Sequence, residues 1–336
     1  MSSIREARQV WQAILKAHQR GARTALLTLA AVRGSAYRRP GAKMMMTEDG
    51  EMFGTLSGGC LEGDLLHYAV EAMKAGKALI RQYDLTEDAM WGLGIGCKGT
   101  ITVWVEPVDP EEPFWRKFGE WISWDHRVAL WAQIPQGFRR LSTPSEVFPS
   151  ASATPTDRPW HSVTLYDKDV LWDVMMPPER LIIAGAGHDA IPLAGLAEQI
   201  GFEVTVLDPR AHFNNEKRLP GAAHYLVRQA EEVDPVEVRD AFWVIMNHHR
   251  GRDQASLDLA LRSEPQFVGM LGPRSRSLEL LGEYKSPIPE LWHAPVGLNV
   301  GAETVDEVAL SIAAELLAAR NRKPGGALNG QERIHD

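Results

Sequence analysis

The sequence predicts an α/β protein in which a mixed α/β domain is followed by a doubly wound parallel sheet. Its 336 residues are long for a single hydrophobic core, which favours two domains. Residues up to about 110 read as several strands with two helices, whereas strand and helix alternate from Arg180 onward. A stretch rich in Ser, Thr and Pro at 142–159 separates the two patterns and predicts a loop or linker.

This change of pattern sets the predicted domain boundaries. An N-terminal domain is expected over residues 1–150, with its core at about 3–110, and a segment of connecting strands over 151–178. The C-terminal domain is expected over 179–322. Because residues 323–336 are polar and rich in glycine, we predict that they form a disordered tail.

The N-terminal domain begins with apolar residues at helical spacing, which predict a helix over residues 3–20. A second helix is predicted at Leu61–Ala75, and Glu48–Gly50 reads as a hairpin turn. Runs rich in β-branched and apolar residues predict strands at Thr24–Ala31, Ala42–Thr47, Glu51–Leu56, Leu79–Leu85, Thr100–Pro107, Val128–Gln133, Ser162–Tyr166 and Val170–Met175.

In the C-terminal domain, short buried strands alternate with helices, which is the pattern of a parallel sheet covered on both faces. The predicted strands are Leu181–Ala184, Glu203–Leu207, Ala223–Val227, Phe242–Met246 and Phe267–Met270. The predicted helices are Ile191–Ile200, Ala255–Ser263, Ser275–Gly282 and Glu303–Ala319.

Charge and composition exclude several classes of protein. A formal net charge of -8 leaves no basic excess for a general nucleic-acid binder. No run approaches the roughly 20 apolar residues of a membrane span, and the first residues lack the apolar region of a signal peptide. We therefore expect a cytoplasmic protein without membrane contact. In that reducing compartment its two cysteines are expected as thiols.

The run from Gly34 to Asp64 has the composition of a binding site. It reads GSAYRRPGAKMMMTEDGEMFGTLSGGCLEGD and combines many glycines with the cations Arg38, Arg39 and Lys43. Glycines permit unusual backbone geometry, and a local cluster of cations suits an anionic ligand. A segment that served only the hydrophobic core would need neither property.

Both cysteines lie in glycine-rich loops rather than among aliphatic core residues. Cys60 directly precedes the predicted helix Leu61–Ala75, and the positive end of a helix favours a thiolate, which is a nucleophile and a soft metal ligand. Cys97 lies in the loop GLGIGCKG, just before the predicted strand Thr100–Pro107. No C-x-x-C or cysteine–histidine spacing is present, which disfavours a closed zinc site.

A glycine-rich turn opens the C-terminal domain. In Gly185-Ala-Gly187-His-Asp-Ala190, small residues would let the backbone approach a phosphate that the following helix faces with its free N–H groups. Asp208 ends the next strand 23 residues after Gly185, near the spacing at which a carboxylate meets ribose in dinucleotide folds. Two interpretations stay open, namely a site for a nucleotide or other phosphate-bearing ligand and a tight turn without a ligand.

Histidines lie at the same predicted edge of the sheet. His188 lies within the glycine-rich turn, and Asn247-His248-His249 follows the predicted strand Phe242–Met246, where ligands of open α/β sheets collect. We expect one of the paired histidines to line the crevice beside His188, with a solvated polar loop as the alternative. Adjacent histidines in a loop point in different directions, which disfavours a two-histidine metal site.

Six segments follow one another along nearly the whole chain. They read GSAYRRPGAKMMM...GTLSGGCLEGD, GLGIGCKG, LIIAGAGHDA...GFEVTVLDPR, VIMNHHRGRDQASLDLAL, FVGMLGPRSR and PVGLNVGAETVDEVALSIAAELLAAR. Together they resemble the XdhC/CoxI family of xanthine dehydrogenase accessory factors. The resemblance implies an N-terminal XdhC/CoxI-type domain and a C-terminal Rossmann-like domain. It further implies a protein that binds molybdenum cofactor, supports its sulfuration and delivers it to a molybdenum hydroxylase of the xanthine dehydrogenase, aldehyde oxidase or carbon monoxide dehydrogenase type.

The resemblance also implies residues that bind the cofactor. Arg38 and Lys43 would take the phosphate of molybdopterin, while Cys60 and Cys97 are candidate molybdenum ligands. The complete predicted set is Ser35, Arg38, Lys43, Ser57, Gly58, Gly59, Cys60, Glu62 and Cys97 in the first domain, with Gly185, Gly187, His188, Asp208 and His248 in the second.

The implied partners are a client molybdenum hydroxylase and a cysteine desulfurase-type sulfurase, and we expect a homo-oligomer, in its simplest form a homodimer. A carrier is favoured over an enzyme. The alternative is an NAD(P)-dependent oxidoreductase or a nucleotide-binding protein built on Gly185, Gly187 and Asp208. Against the oxidoreductase, no proton relay of tyrosine and lysine at catalytic spacing accompanies the fingerprint.

Overall fold

The computed structural model of the chain divides into two compact units, and the division falls between Pro177 and Pro178. Its described residues are 3–85, 99–124, 126–133, 138–149, 164–167, 170–282 and 291–329. The division falls later than the predicted end of the first domain at residue 150, because strands up to Met175 pair within a sheet of the first unit. Residues 323–329 of the predicted tail are described, and the rest of the tail lies outside the described ranges.

The first sheet of the N-terminal unit is antiparallel and has the strand order β3-β2-β1-β5-β4. Its strands are β1 (Thr24–Gly34), β2 (Lys43–Thr47), β3 (Met52–Gly54), β4 (Leu79–Asp84) and β5 (Gly99–Val108). The helices of this part are α1 (Ile4–Gln19) and α2 (Glu62–Ala75). These elements confirm the predicted helices and strands of residues 3–108 to within a few residues.

Helices cover both faces of this sheet, which explains why its central strands are continuously apolar. Leu27 and Met44 pack in one cluster with Leu65 and other residues of α2. Leu26 and Met45, which are their neighbours in sequence, point to the other face and pack with α1. The alternation of side chains along each strand thus supplies two cores at once.

The second sheet of the N-terminal unit has the order β8-β7-β6-β10-β9. Its strands are β6 (Val128–Gln133), β7 (Phe138–Ser142), β8 (Val147–Phe148), β9 (Thr164–Asp167) and β10 (Val170–Met175). The sequence prediction missed a helix here, α3 (Pro113–Ile122), whose buried aromatic side chains are in ring contact with one another and with Trp11 of α1. Aromatic residues have weak intrinsic helix propensity, so packing determines this helix.

The C-terminal unit is a six-stranded, fully parallel sheet with the order β13-β12-β11-β14-β15-β16. Its strands are β11 (Arg180–Ala184), β12 (Glu203–Leu207), β13 (His224–Leu226), β14 (Phe242–Ile245), β15 (Phe267–Met270) and β16 (Trp292–His293). Its helices are α4 (Ala190–Gln199), α5 (Arg250–Arg262), α6 (Arg274–Leu281) and α7 (Val305–Arg320). The predicted doubly wound parallel sheet is confirmed.

This strand order is that of a dinucleotide-binding sheet, in which successive strands are added on one side of the first strand and then, from the fourth strand onward, on its other side. Here that switch point lies between β11 and β14, and two separate hydrophobic clusters cover the two faces. Helix α5 begins at Arg250 rather than at the predicted Ala255, because His249 caps its N-terminus. Within the described ranges, none of the helices combines the length and apolar composition that a membrane span requires.

Candidate functional site

The loop that joins β3 to α2 is folded around the carboxylate of Glu62. Its four backbone donors lie 3.0–3.2 Å from the carboxylate oxygens, and two hydroxyl groups add further bonds. The donors are Leu56 N, Ser57 N and Thr55 Oγ1 on Oε1, with Gly59 N, Leu61 N and Ser57 Oγ on Oε2. Burial would raise the pKa of Glu62, but the bonds from Ser57, Thr55 and the loop amides outweigh it and hold the pKa at about 2.

Glycines make this wrapping possible. Gly58 and Gly59 have φ angles of +74° and +104°, a region in which side chains with a Cβ are strained. Their positions let four loop amides turn inward to Glu62, while the Gly58 amide donates to Thr55 Oγ1. These amides therefore pair with a protein carboxylate, and Glu62 fixes the loop rather than contacting a ligand.

The wrapped loop presents Cys60 to solvent as a free thiol. Tyr37, from the segment after β1, is 59% exposed and lies against Gly58, where an added Cβ would be 3.4 Å from its ring. Cys60, Tyr37 and Ser57 line one small depression together with Ala36, Leu56, Leu61, Leu85 and Ile101. Tyr37 was not among the predicted site residues, although an aromatic residue in a polar, glycine-containing run was an available signal.

Arg38 holds the start of the same loop. Its Nη1 donates to Thr55 O at 3.1 Å, and its Nη2 donates to Glu6 Oε1 on α1 at 2.7 Å. The guanidinium is half-buried, so it supplies positive charge near the depression while anchoring the loop to α1.

Lys43 is placed elsewhere than the sequence suggested. Its side chain is 1% exposed, and its Nζ lies 2.5 Å from Asp173 Oδ2 and donates to Gly41 O at 3.0 Å. Asp173 is itself fully buried on β10. The ammonium group thus serves a buried ion pair between the two sheets, and the predicted contact between Lys43 and a phosphate does not fit this position.

The remaining predicted residues of the first unit lie near the end of β1. Ser35 is exposed and directly follows that strand, beside Gly99, where an added Cβ would lie 2.5 Å from Ser35 O. Cys97 lies outside the described residues. The structure therefore brings together Tyr37, Ser57 and Cys60 from the predicted run and its surroundings.

In the C-terminal unit, the glycine-rich turn connects β11 to α4 at the switch point. Gly185 has a φ of +117°, and a Cβ there would lie 2.6 Å from Met246 O. A Cβ on Gly187 would lie 2.5 Å from Asp189 Oδ1. Backbone atoms and a positive φ thus require glycine at position 185, whereas the approach at Gly187 is to the end of the Asp189 side chain, which can move.

Asp208 is fully buried at the end of β12, and its carboxylate is engaged by its own surroundings. Oδ2 accepts from Ala186 N at 2.9 Å and Arg210 Nη2 at 2.6 Å, and Oδ1 accepts from Arg210 N and Nε, each at 2.9 Å. Burial would raise the pKa of Asp208, but these bonds outweigh it and lower the pKa. Asp208 therefore ties the glycine-rich turn to the loop after β12, and its acceptors are not presented to a ribose.

A histidine–aspartate pair lies across the switch point. His248 Nε2 is 2.5 Å from Asp189 Oδ2, although the two residues come from different turns. His248 is 58% exposed and has a left-handed backbone with φ of +56°, whereas His249 caps α5. His188 is exposed in the turn that supplies Asp189. Among the described residues, no group of three or more His, Cys, Asp or Glu side chains is arranged to hold a metal ion.

The protein thus has two domains. The mixed α/β unit carries the loop around Cys60, and the Rossmann-type unit carries the histidine–aspartate pair at its switch point. Sequence models of known families match both parts, the XdhC and CoxI family over residues 17–84 and the XdhC Rossmann domain over residues 181–316. The chain is 31% identical over 310 residues to a protein of Bacillus subtilis named as a probable xanthine dehydrogenase subunit, covering 88% of this chain and 93% of that protein. It belongs to the XdhC and CoxI family, as the sequence resemblance predicted.

Two further relatives extend the comparison. The molybdenum cofactor insertion chaperone PaoD of Escherichia coli is 24% identical over 320 residues, covering 93% of this chain and 88% of that protein. A crystal structure described as a xanthine dehydrogenase of Bacillus halodurans superposes with a TM-score of 0.79 at 31% identity, covering 97% of this chain and 98% of the other. Both alignments extend over the two units.

Proposed function

We propose that this protein is a carrier of molybdenum cofactor, which it holds at the depression around Cys60 and passes to a molybdenum hydroxylase. Membership of the XdhC and CoxI family supports this proposal, as does the similarity to a relative named as a molybdenum cofactor insertion chaperone. The observation that carries it is the exposed thiol of Cys60, held beside Tyr37 on a loop that Glu62 fixes.

The donor set suits the cargo that the family suggests. A thiolate is a soft ligand appropriate to a thiophilic metal, and the Tyr37 ring offers a flat apolar face for a pterin. Arg38 contributes positive charge near the phosphate end of such a cofactor, although Glu6 offsets part of it. Because the loop amides are bound to Glu62, recognition would rely on side chains rather than on a backbone cradle.

We further propose that the protein takes part in the sulfuration of the cofactor. Cys60, alone or with Cys97, would lie next to the metal or hold sulfur while the cofactor is sulfurated by a cysteine desulfurase-type partner. The client would be an enzyme of the xanthine dehydrogenase class, in keeping with the named relatives. A homodimer and a cytoplasmic location stay predictions of the sequence.

The oxidoreductase alternative is less well supported by the geometry. Nicotinamide dinucleotide recognition by a Rossmann fold commonly uses the carboxylate after the second strand to bind ribose hydroxyls. Asp208 holds that position, but its oxygens accept bonds from Ala186 and Arg210. In addition, Asp189 places a carboxylate at the N-terminus of α4, where a pyrophosphate would otherwise be favoured.

A direct test is purification from a molybdenum-replete host, followed by oxidation and fluorescence detection of released pterin. The proposal predicts pterin in the purified protein, or saturable binding when cofactor is supplied to the empty protein. Absence of pterin together with no binding of supplied cofactor would refute it.

A further inference from the structure

A cavity of about 450 Å³ lies in the N-terminal unit, where β1 begins and β5 ends. A volume of this size is typical of sites for small molecules. The lining includes Thr24 at the start of β1 and Val108 at the end of β5, whereas Ile101 of β5 lines the depression around Cys60. These two positions on β5 are seven residues apart, which corresponds to roughly 23 Å of extended strand. The cavity is therefore separate from the proposed cofactor site.

Part of the cavity wall is apolar. Met73 and Val108 line it and are each 7% exposed. Ala22 and Pro107 extend the same wall. A short aliphatic chain placed against these side chains would remove their remaining apolar surface from water. The cavity therefore suits a ligand with a small apolar body.

The two arginines of the wall are already paired with carboxylates of the chain. Arg23 Nη2 lies 2.6 Å from Glu48 Oε2. Arg139 Nη2 lies 3.0 Å from Glu112 Oε1, and its Nη1 lies 3.4 Å from Glu106 Oε1. Because two guanidinium groups are shared among three carboxylates, the wall has no excess of positive charge to attract an anion.

Further acceptors face the cavity. Asp109 is exposed in the lining, and its Oδ1 accepts from Glu111 N at 2.9 Å, but within the described ranges it takes part in no ion pair. Helices α1 and α2 both end here, with Gly21 and Gly76 in the lining, and the C-terminal end of a helix carries partial negative charge. His18, in the last turn of α1, also lines the cavity and lies 4.0 Å from Glu111. The cavity is thus electronegative.

Behind the wall lies a buried carboxylate whose charge is only partly compensated. Glu106 is 5% exposed, and it shares the Arg139 guanidinium with Glu112. Burial raises the pKa of Glu106 to about 7, because it outweighs the attraction of Arg139, and the neighbouring Glu112 carboxylate adds to the rise. A second cation at Glu112 would leave Arg139 to Glu106 alone.

We propose that this cavity binds a small organic cation, a primary ammonium compound with a short aliphatic stem. The ammonium group bonds to Asp109 and Glu112, and the stem packs against the apolar wall. When the ligand pairs with Glu112, Arg139 pairs with Glu106 alone and stabilises its ionised form. The site requires binding only, with no covalent step, and it takes no part in the proposed cofactor chemistry.

Calorimetric titration of the full-length protein tests this proposal, with the six-carbon probes hexylammonium, hexanoate and 1-hexanol. Hexylammonium should bind at least about tenfold more tightly than either of the others, because only its head group makes charge-assisted bonds to the carboxylates. Asp109→Asn should remove most of that preference. Glu120→Gln is the matched control, since Glu120 lies on α3 outside the cavity lining and pairs with Lys117.

The buried carboxylate gives the proposal a second readout. Because a bound cation favours ionised Glu106, the affinity for hexylammonium should rise at least about threefold from about pH 6 to about pH 8, across the Glu106 pKa of about 7. The charged or titratable side chains around it are Arg139 of β7, Glu112 at the start of α3, His18 of α1 and Arg23 ahead of β1. Glu106→Gln should abolish the pH dependence, which separates Glu106 from His18.

Equal affinity for hexylammonium and hexanoate in the wild-type protein would overturn the proposal, as would absence of saturable hexylammonium binding or an unchanged preference in Asp109→Asn. A pH dependence that persists in Glu106→Gln would refute the role of Glu106. The wild-type comparison does not depend on any variant being folded. Failure of this proposal would leave the Cys60 proposal intact, because the latter is measured by pterin.

Discussion

Glu62 is the residue on which the geometry around Cys60 depends. A single carboxylate accepts hydrogen bonds from four amides and two hydroxyl groups of one loop, and the Cys60 thiol on that loop faces solvent. Since each buried donor would otherwise be unsatisfied, the loop and the carboxylate stabilise each other. The role of Glu62 is therefore to position Cys60.

Replacing this carboxylate by an amide should destabilise the protein. In Glu62→Gln one acceptor oxygen is lost, and an NH₂ group faces the loop donors. We expect the free energy of unfolding, measured by urea denaturation at pH 7, to fall by about 1–3 kcal/mol. The control is Gly63→Ala, where an added Cβ meets nothing within 4 Å and helix propensity should add about 0.5–1 kcal/mol. A Gln variant as stable as the wild type would contradict this role.

The same carboxylate predicts a pH dependence of stability. The folded-state pKa of Glu62 is about 2, below the ordinary value of 4.5. Above pH 4.5 the group is ionised in both states and its stabilisation is complete. As the pH falls toward 2, the unfolded chain takes up the proton first and the stabilisation is lost. The difference in unfolding free energy between wild type and Glu62→Gln should therefore shrink from about pH 5 to about pH 2, and a constant difference would argue against the depressed pKa.

At the level of secondary-structure elements, the buried ion pair of Lys43 and Asp173 joins β2 of the first sheet to β10 of the second sheet in the N-terminal unit. The Lys43 side chain is 1% exposed and that of Asp173 is fully buried, so neither charge is hydrated. An ion pair in such a place specifies how the sheets pack, because each charge requires the other.

Removing the charge of Lys43 alone should lower the free energy of unfolding far more than removing the charges of both Lys43 and Asp173. Lys43→Met leaves the Asp173 carboxylate buried without its cation, and we expect a loss of about 3–5 kcal/mol in unfolding free energy. The double variant Lys43→Met/Asp173→Leu should regain most of that loss, because no uncompensated charge is left. Urea denaturation of both variants checks this, and a double variant no more stable than the single one would refute the role of the pair.

For the whole molecule, local patterns predicted the fold well. Apolar periodicity and the alternation of strand and helix sufficed for α1, α2, the first sheet and five of the six parallel strands of the C-terminal unit. They failed for α3, β7, β8 and β16, where aromatic packing or short strand length outweighs local preference.

The candidate sites were less predictable, because their character depends on pairs distant in sequence. The sequence predicts Lys43 to be a phosphate-binding cation, but in the structure Asp173, 130 residues away, neutralises its charge. His248 meets Asp189 across 59 residues. By contrast, the glycine-rich loop that exposes Cys60 is contiguous in sequence with Glu62, so its local geometry depends on neighbouring residues, and its role in cofactor binding stays a prediction.

Cofactor binding at Cys60 is tested most directly by the pterin content of Cys60→Ser beside wild type, with Gly63→Ala as the matched control from the same helix start. All three proteins would be purified from a molybdenum-replete host and then offered to a cofactor-free molybdenum hydroxylase. We expect Gly63→Ala to retain wild-type pterin and client activation, and Cys60→Ser to lose both. Wild-type pterin occupancy and full client activation in Cys60→Ser would contradict this expectation.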